Sequence, residues 1–240
     1  MTLQNCRVVL IRPQVAGNLG ATARVMRNMG LSDLVLVAPA ADRDSREARQ
    51  LSTHGEAILE NARIVPELSE AVADCSMVVA TSARTGKLIR GQFGSPAEIM
   101  PRAVAALANG RIALVFGPEP SGLTNAEVTR CHWLIHIPTD ESYPALNLAQ
   151  AVAICIYELR RSYLEQGKPA LSPETAAFAD QERMFTELRK ALEEIHFLYG
   201  PKADSLMHAL RHLLGRAQLT DMEVKLLLGL ARQIHWCGGQ

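Results

Sequence analysis

Short β-branched runs alternate with segments of helical periodicity through the first two-thirds of the 240-residue chain. Strands are predicted at residues 7–12, 33–38, 63–65, 76–81, 111–116 and 133–137. Helices are predicted near residues 18–29, 43–60, 67–73, 96–108, 124–130 and 148–164. This alternation predicts an α/β fold in which helices cover both faces of a mainly parallel sheet. Ligand loops are then expected at the carboxyl ends of the strands.

Several predicted helices have marked ends. Three pairs of residues have the capping-box spacing, namely Ser95 with Glu98, Thr124 with Glu127, and Thr220 with Glu223. Gly30 is predicted to end the first helix in the left-handed conformation.

The pattern changes after about residue 165. The segment "EQGKPALSPE" is a polar connector, and beyond it only helices are predicted, near residues 173–198, 203–215 and 221–236. Residues 1–165 are therefore predicted to form one domain, and residues 166–240 a small α-helical C-terminal extension.

Composition indicates an ordinary globular protein without global basicity. Lys and Arg number 25, as do Asp and Glu, so a polyanion would need a local basic patch. The five cysteines are scattered without a C-x-x-C pair, which favours a reducing compartment. We see no signal peptide and no apolar stretch long enough to span a membrane, so a cytoplasmic protein is expected.

Several common kinds of site are disfavoured. Gly17 and Gly20 do not form the G-x-G-x-x-G of a dinucleotide fold, and no acidic residue ends the second strand. His208 and His212 have helical ligand spacing but no third ligand, so no metal is expected. No G-x-S-x-G indicates a serine nucleophile.

Three stretches remain: residues 18–24, residues 115–123 and residues 137–149. Each has an ordinary structural explanation. Asn18 and Asn147 could be helix caps, and the glycines and prolines of residues 117–122 could serve turns alone.

Taken together, "NLGATAR", "FGPEPSGL" and "LNLAQAV" resemble the three motifs of the SPOUT (SpoU–TrmD) RNA methyltransferases, in the 2′-O-ribose branch. The resemblance covers about residues 5–160. The segment "LRHLLGRAQLTDMEVKLLLGLARQI" further resembles the TrmJ group, which methylates a ribose at position 32 of the tRNA anticodon loop. The resemblance implies a deep trefoil knot in the C-terminal part of the sheet. It also implies a homodimer with the motif loops at its interface.

The resemblance also implies site residues. S-adenosylmethionine (AdoMet) is expected to bind largely through backbone groups of Thr81, Ser82, Ala83, Gly117, Ile137, Pro144, Ala145 and Leu146. The expected catalytic set is Asn18, Arg24, Glu119 and Asn147, with Glu119 ordering the loops. Many members carry serine where this chain has Ala145, so a chemical role for position 145 is doubtful. No metal is needed.

Arg24 lies on the turn that receives RNA in the family. The family proposal makes it the base that removes the 2′-hydroxyl proton, but a guanidinium is normally always protonated. The alternative is that Arg24 stabilises the developing alkoxide as a cation.

A basic strip is predicted to hold the tRNA backbone. Its residues are Arg12, Arg24, Arg27, Arg84, Lys87, Arg90 and Arg102, with Glu98 as the one acid within the cluster at residues 84–102. A solvated charged loop is the ordinary alternative. No membrane or DNA partner is expected.

Two other functions remain open. The core motifs also fit a ribosomal-RNA ribose methyltransferase, whereas the tail favours tRNA. Ala145 leaves room for a non-catalytic protein that binds AdoMet or RNA.

Overall fold

The computed structural model describes residues 2–82, 92–165 and 175–238. Within these ranges the strands are Cys6–Ile11 (β1), Asp33–Val37 (β2), Arg63–Val65 (β3), Cys75–Thr81 (β4), Gln92–Gly94 (β5), Arg111–Phe116 (β6) and Trp133–Ile135 (β7). The helices of the first domain are Ala16–Met29 (α1), Arg46–Ser52 (α2), Glu56–Glu60 (α3), Leu68–Val72 (α4), Pro96–Ala106 (α5), Asn125–Thr129 (α6) and Leu148–Glu165 (α7). The last three are Phe178–Glu194 (α8), Ala203–Gly215 (α9) and Asp221–Gly238 (α10).

The strands form one sheet in the order β3-β2-β1-β6-β4-β7-β5, and every described strand pair is parallel. The predicted parallel α/β fold is confirmed. The chain moves outward in one direction through β1, β2 and β3, and the remaining strands lie on the other side of β1. Ligands of open parallel sheets bind at such a switch point, here between the carboxyl ends of β1 and β6.

Both faces of the sheet are covered, as predicted. Along β1, Val8 and Leu10 face a core shared with α1, α5 and α7. Val9 and Ile11 face the opposite core, which includes residues of α4. A strand that is buried on both faces explains the unbroken apolar run of β1.

The predicted helix ends are largely confirmed. Gly30 has a φ of 78° at the end of α1, and the three capping boxes form. The single helix predicted at residues 43–60 is wrong, because the short turn Thr53–Gly55 divides it into α2 and α3. A Cβ at Gly55 would lie 2.7 Å from the carbonyl carbon of Ala23, so α1 runs against this break.

An ion cluster around the buried side chain of Arg7 lies at the amino ends of the strands, away from the switch point. Arg7 is 3% exposed, and its Nε lies 2.9 Å from an oxygen of Asp33. Its Nη1 lies 2.6 Å from an oxygen of Asp74, which also contacts Arg111. Burial raises the pKa of Asp74, but the hydrogen bonds from Arg7 and Arg111 outweigh it and lower the pKa to about 2. Asp74 therefore keeps its charge throughout the physiological pH range.

The last three helices have a core of their own, with Met184, Leu188, Met207 and Val224 among its members. The N-terminal turn of α8 nevertheless belongs to the first domain. Phe178 is 2% exposed and packs in the core that also holds Leu134 of β7.

A hydrogen-bond chain strengthens this attachment. The backbone N–H of Val78 donates to His132 Nδ1 (2.8 Å), so the neutral ring carries its proton on Nε2 and donates to Gln181 Oε1 (3.0 Å). Burial lowers the pKa of His132, which keeps the ring neutral. The extension is thus less separate than the polar connector suggests.

In the described ranges, no helix combines the length and apolarity required to cross a membrane.

We expect Phe178→Ala to lower the free energy of unfolding by ~3–5 kcal/mol, because it opens a cavity between α8 and the sheet. Phe197→Ala is the matched control, since Phe197 is exposed, and should change stability by no more than about 0.5 kcal/mol. Urea unfolding of both variants measures the difference. An equally small loss in both would mean that α8 contributes little to the sheet.

Candidate active site

A cleft of about 210 Å³ opens at the carboxyl ends of β4, β6 and β7. Seven residues predicted to bind the methyl donor line it together: Thr81, Ser82, Gly117, Ile137, Pro144, Ala145 and Leu146. Ala83 lies outside the described residues. The structure therefore brings three distant segments into one site, and their role in donor binding stays a prediction.

The cleft has few charged groups. Its walls include Phe116, Ile135 and Leu148, and Glu119 is the one ionisable side chain among the lining residues that the structure describes. The remaining lining is mostly proline, glycine and small polar residues, which leave backbone groups accessible. Leu148 and Ala151 of α7 also line the cleft. They were not predicted as site residues from the sequence, because apolar periodicity alone marks them only as positions of a helix.

The loop after β6 folds tightly on itself. A Cβ at Gly117 would lie 2.4 Å from the backbone nitrogen of Leu123 and 2.5 Å from the carbonyl carbon of Gly122. Gly122 has a φ of 65°, and its N–H donates to the carbonyl of Pro118 (2.8 Å). Both glycines are therefore required, one by close approach and the other by its backbone conformation.

Three polar side chains from distant segments form a chain of hydrogen bonds, which we call the polar relay (Asn18, Glu119 and Asn147). Asn18 Nδ2 donates to Glu119 Oε1, and Asn147 Nδ2 donates to Asn18 Oδ1 (2.8 Å). Asn147 Oδ1 accepts the N–H of Ala149 (2.9 Å) and so caps α7. Because a carboxylate can only accept, it fixes the orientation of both amides.

The relay has one unused acceptor. Glu119 Oε2 is buried and has no hydrogen-bond partner among the described residues. A buried carboxylate oxygen without a hydrogen-bond donor costs free energy, and a ligand that donates a hydrogen bond to it would remove that cost.

The interpretation of Asn18 as a helix cap is wrong. Helix α1 begins at Ala16 after Val15, which makes no side-chain cap, and Asn18 is buried in the first turn. The glycines of this motif serve packing, since a Cβ at Gly20 would lie 2.1 Å from the carbonyl oxygen of Ala48 in α2. The motif therefore supplies a close helix contact and one relay residue.

Arg24 does not meet the relay within one protomer. It is exposed on α1, does not line the cleft, and makes no ion pair with a described residue. Six residues separate it from Asn18, which is about 240° around a helix of 3.6 residues per turn. Arg27 is likewise exposed, one turn further along.

The other predicted RNA contacts differ in their surroundings. Arg12 Nη1 lies 2.6 Å from Glu127 in a two-pronged ion pair that joins the end of β1 to α6. This hydrogen bond raises the pKa of Arg12, and its charge is largely committed within the chain. The Arg102 guanidinium lies 5.0 Å from the centre of the Trp133 ring. Arg84, Lys87 and Arg90 lie outside the described residues.

In the described ranges, no group of three or more His, Cys, Asp or Glu side chains is placed to hold a metal ion. His208 and His212 have their Nε2 atoms 2.8 Å apart. Burial and His208 lower the pKa of His212 to about 4.

Two family models match this chain, each over a different range of residues. The model of the SpoU rRNA Methylase family matches residues 5–157, and that of the tRNA methyltransferase TrmJ C-terminal domain matches residues 179–237. A tRNA (cytidine/uridine/adenosine-2′-O-)-methyltransferase TrmJ from Pseudomonas aeruginosa is 39% identical, over 95% of this chain and 93% of its own.

Solved structures of methyltransferases are also similar to this chain. The crystal structure of TrmJ from Z. mobilis ZM4 has a TM-score of 0.81 at 30% identity and covers 95% of this chain and 98% of its own. An AdoMet-bound rRNA methyltransferase from Sinorhizobium meliloti has a TM-score of 0.51 at 26% identity and covers 65% of this chain and 56% of its own. Since the family match spans more than half of the chain and the relatives extend through the tail, the chain belongs to the SpoU methylase family and, within it, to the TrmJ group.

Proposed function

We propose that this protein transfers a methyl group from AdoMet to a ribose 2′-oxygen of tRNA. The observation that carries the proposal is the cleft, where a backbone-lined slot meets the polar relay at residues of all three family motifs. The Pseudomonas aeruginosa relative, which matches nearly the full length of this chain, is named for this activity.

The cleft suits the donor. Bound AdoMet would supply an electrophilic methyl group on a cationic sulfonium. Glu119, as the ionisable side chain of the wall, provides the opposite charge, and Ile135, Ile137 and Leu148 provide apolar surface. Ala145 offers only its backbone and a methyl group, so this position contributes shape and not a hydroxyl.

The acceptor hydroxyl must lose its proton as the new bond forms. Arg24 remains our candidate, as the base or as the cation that stabilises the alkoxide. Since Arg24 lies away from the relay of its own protomer, a homodimer could bring it to the cleft of the partner. The knot and the dimer are both drawn from the resemblance.

We place the target at position 32 of the anticodon loop, with cytidine or uridine as the base. The C-terminal extension favours tRNA over ribosomal RNA, and a non-catalytic role is the remaining alternative. We also place the protein in the cytoplasm, with all five cysteines as free thiols.

Ribose-methylation mapping of total RNA incubated with AdoMet, with and without the protein, tests this function. We expect one new 2′-O-methyl group at tRNA position 32. A methylated ribosomal RNA would favour the alternative function of a ribosomal-RNA ribose methyltransferase. If AdoMet is consumed with neither RNA, the non-catalytic alternative is favoured.

Gly117→Ala should abolish AdoMet binding, because even a methyl group collides with the backbone of residues 122–123 and opens the loop. Gly229→Ala is the matched control, since a Cβ there meets no atom within 4 Å and should leave donor affinity unchanged. Calorimetry on the two folded variants decides. Full donor affinity in Gly117→Ala would locate the donor elsewhere.

Arg24→Ala should remove methyl transfer while AdoMet binding stays intact, since Arg24 does not line the cleft. Arg63→Ala, an exposed cation on the edge strand β3, is the control and should keep its rate. Single-turnover assays measure both. If Arg24→Ala keeps more than about a tenth of the wild-type rate, its activation free energy has risen by less than ~1.4 kcal/mol. That result would contradict the catalytic role of Arg24.

Co-expression of Arg24→Ala with Gly117→Ala tests which protomer supplies the arginine. If Arg24 serves its partner, mixed dimers regain one complete site, and roughly a quarter of the wild-type activity returns when subunits pair at random. If Arg24 serves its own protomer, the mixture stays inactive.

We further propose that the extension holds tRNA. Lys202, Lys225 and Arg232 are exposed cations without ion pairs to described residues. Their combined replacement by alanine should weaken tRNA binding about tenfold and reduce the salt dependence by two to three ion equivalents, roughly 0.7–0.9 for each contact. Donor affinity and sedimentation serve as controls. If the triple variant dissociates into monomers while its tRNA affinity is unchanged, the extension stabilises the contact between subunits and does not hold tRNA.

A further inference from the structure

The aromatic side chain of Tyr143 lies at the rim of the cleft and has no hydrogen-bond or stacking partner among the described residues. It is 78% exposed, more than any other Phe, Tyr or Trp side chain in the described ranges. The next three residues, 144–146, line the cleft, whereas Tyr143 itself does not. The ring therefore lies outside the slot, next to its entrance.

The turn that carries the ring is well ordered by hydrogen bonds. The N–H of Tyr143 donates to the carbonyl of Asp140 (3.1 Å), and the N–H of Ser142 donates to Asp140 Oδ1 (2.9 Å). Thr139 Oγ1 donates to the carbonyl of Pro144 (3.3 Å). Pro144 also restricts the backbone of Tyr143. The backbone that carries the exposed ring is thus held by hydrogen bonds on both sides of Tyr143.

Two aromatic side chains of the neighbouring strands β5 and β7 have partners within the chain. Phe93 stacks on His136, with ring centres 5.7 Å apart, and Trp133 packs under Arg102. The Tyr143 hydroxyl and ring have no such partner among the described residues. Tyr143 directly precedes the cleft residue Pro144, so its unpartnered side chain begins beside the cleft.

We propose that Tyr143 stacks on the base of the nucleotide whose ribose is methylated. This inference rests on the proposed function. Bases of single-stranded RNA loops are splayed out of their stack and held on aromatic side chains, whose flat faces accept any base. Stacking at the rim would hold the base outside the slot while its ribose faces the relay.

The test compares Tyr143→Ala, Tyr143→Phe and the control Tyr157→Ala, which removes an exposed tyrosine from α7. We expect Tyr143→Ala to raise the tRNA KM about tenfold with little change in kcat, because one base stack is lost. Tyr143→Phe and Tyr157→Ala should behave like the wild type. AdoMet affinity and sedimentation should be unchanged in all three.

A tRNA that lacks only the target base identifies the stacking partner. The wild type should bind this abasic tRNA about tenfold more weakly than intact tRNA, whereas Tyr143→Ala should bind both equally. An unchanged KM in Tyr143→Ala, an equal abasic penalty in both proteins, a loss of AdoMet affinity or a dissociated dimer would each overturn the inference. If the wild type itself fails to methylate tRNA, the proposed function fails instead.

Discussion

The two hydrogen bonds of the polar relay fix the site, because they join segments that lie 101 and 129 residues apart in sequence. The Glu119 carboxylate accepts from Asn18, which leaves Asn18 Oδ1 free for Asn147, and the remaining oxygen of Asn147 caps α7. Each amide can take only one orientation in this chain of donors and acceptors. The position of the loop after β6 is therefore tied to α1 and to α7, and the cleft between them forms only when all three are packed.

The amino and carboxyl ends of the parallel strands carry different polar groups. At the amino edge, the ion cluster around Arg7 is satisfied by Asp33, Asp74 and the carbonyl of Ala71. At the carboxyl edge, Glu119 Oε2 is left without a partner, and the loop glycines keep the backbone open. The Arg7 guanidinium thus has its partners within the chain, whereas Glu119 lines the cleft and has a carboxylate oxygen left for a ligand.

The sequence predicted what depends on local patterns. The β-branched runs, the capping boxes and Gly30 were sufficient for the parallel sheet and for most helix ends. Strand β5 was missed because three residues at a sheet edge show no periodicity. The contact of Phe178 with the sheet and the ion pair between Arg12 and Glu127 join distant segments, which no local pattern reveals. The residues predicted to bind the methyl donor were named through the family resemblance, and the structure places all of them except Ala83, which it does not describe, around one cleft.

The separation of Arg24 from the relay has a consequence for assembly. A protomer that carries its cleft on one side of α1 and its free cation on another cannot complete the site by a small side-chain movement. A twofold dimer can, because a surface patch of one protomer meets a different patch of its partner and the reverse contact forms at the same time. Such a dimer would also bring the local cations of two protomers onto one assembly, and a chain of zero net charge depends on such local clusters to bind RNA phosphates. Under this proposal, dimerisation is a condition for the chemistry and not only for stability.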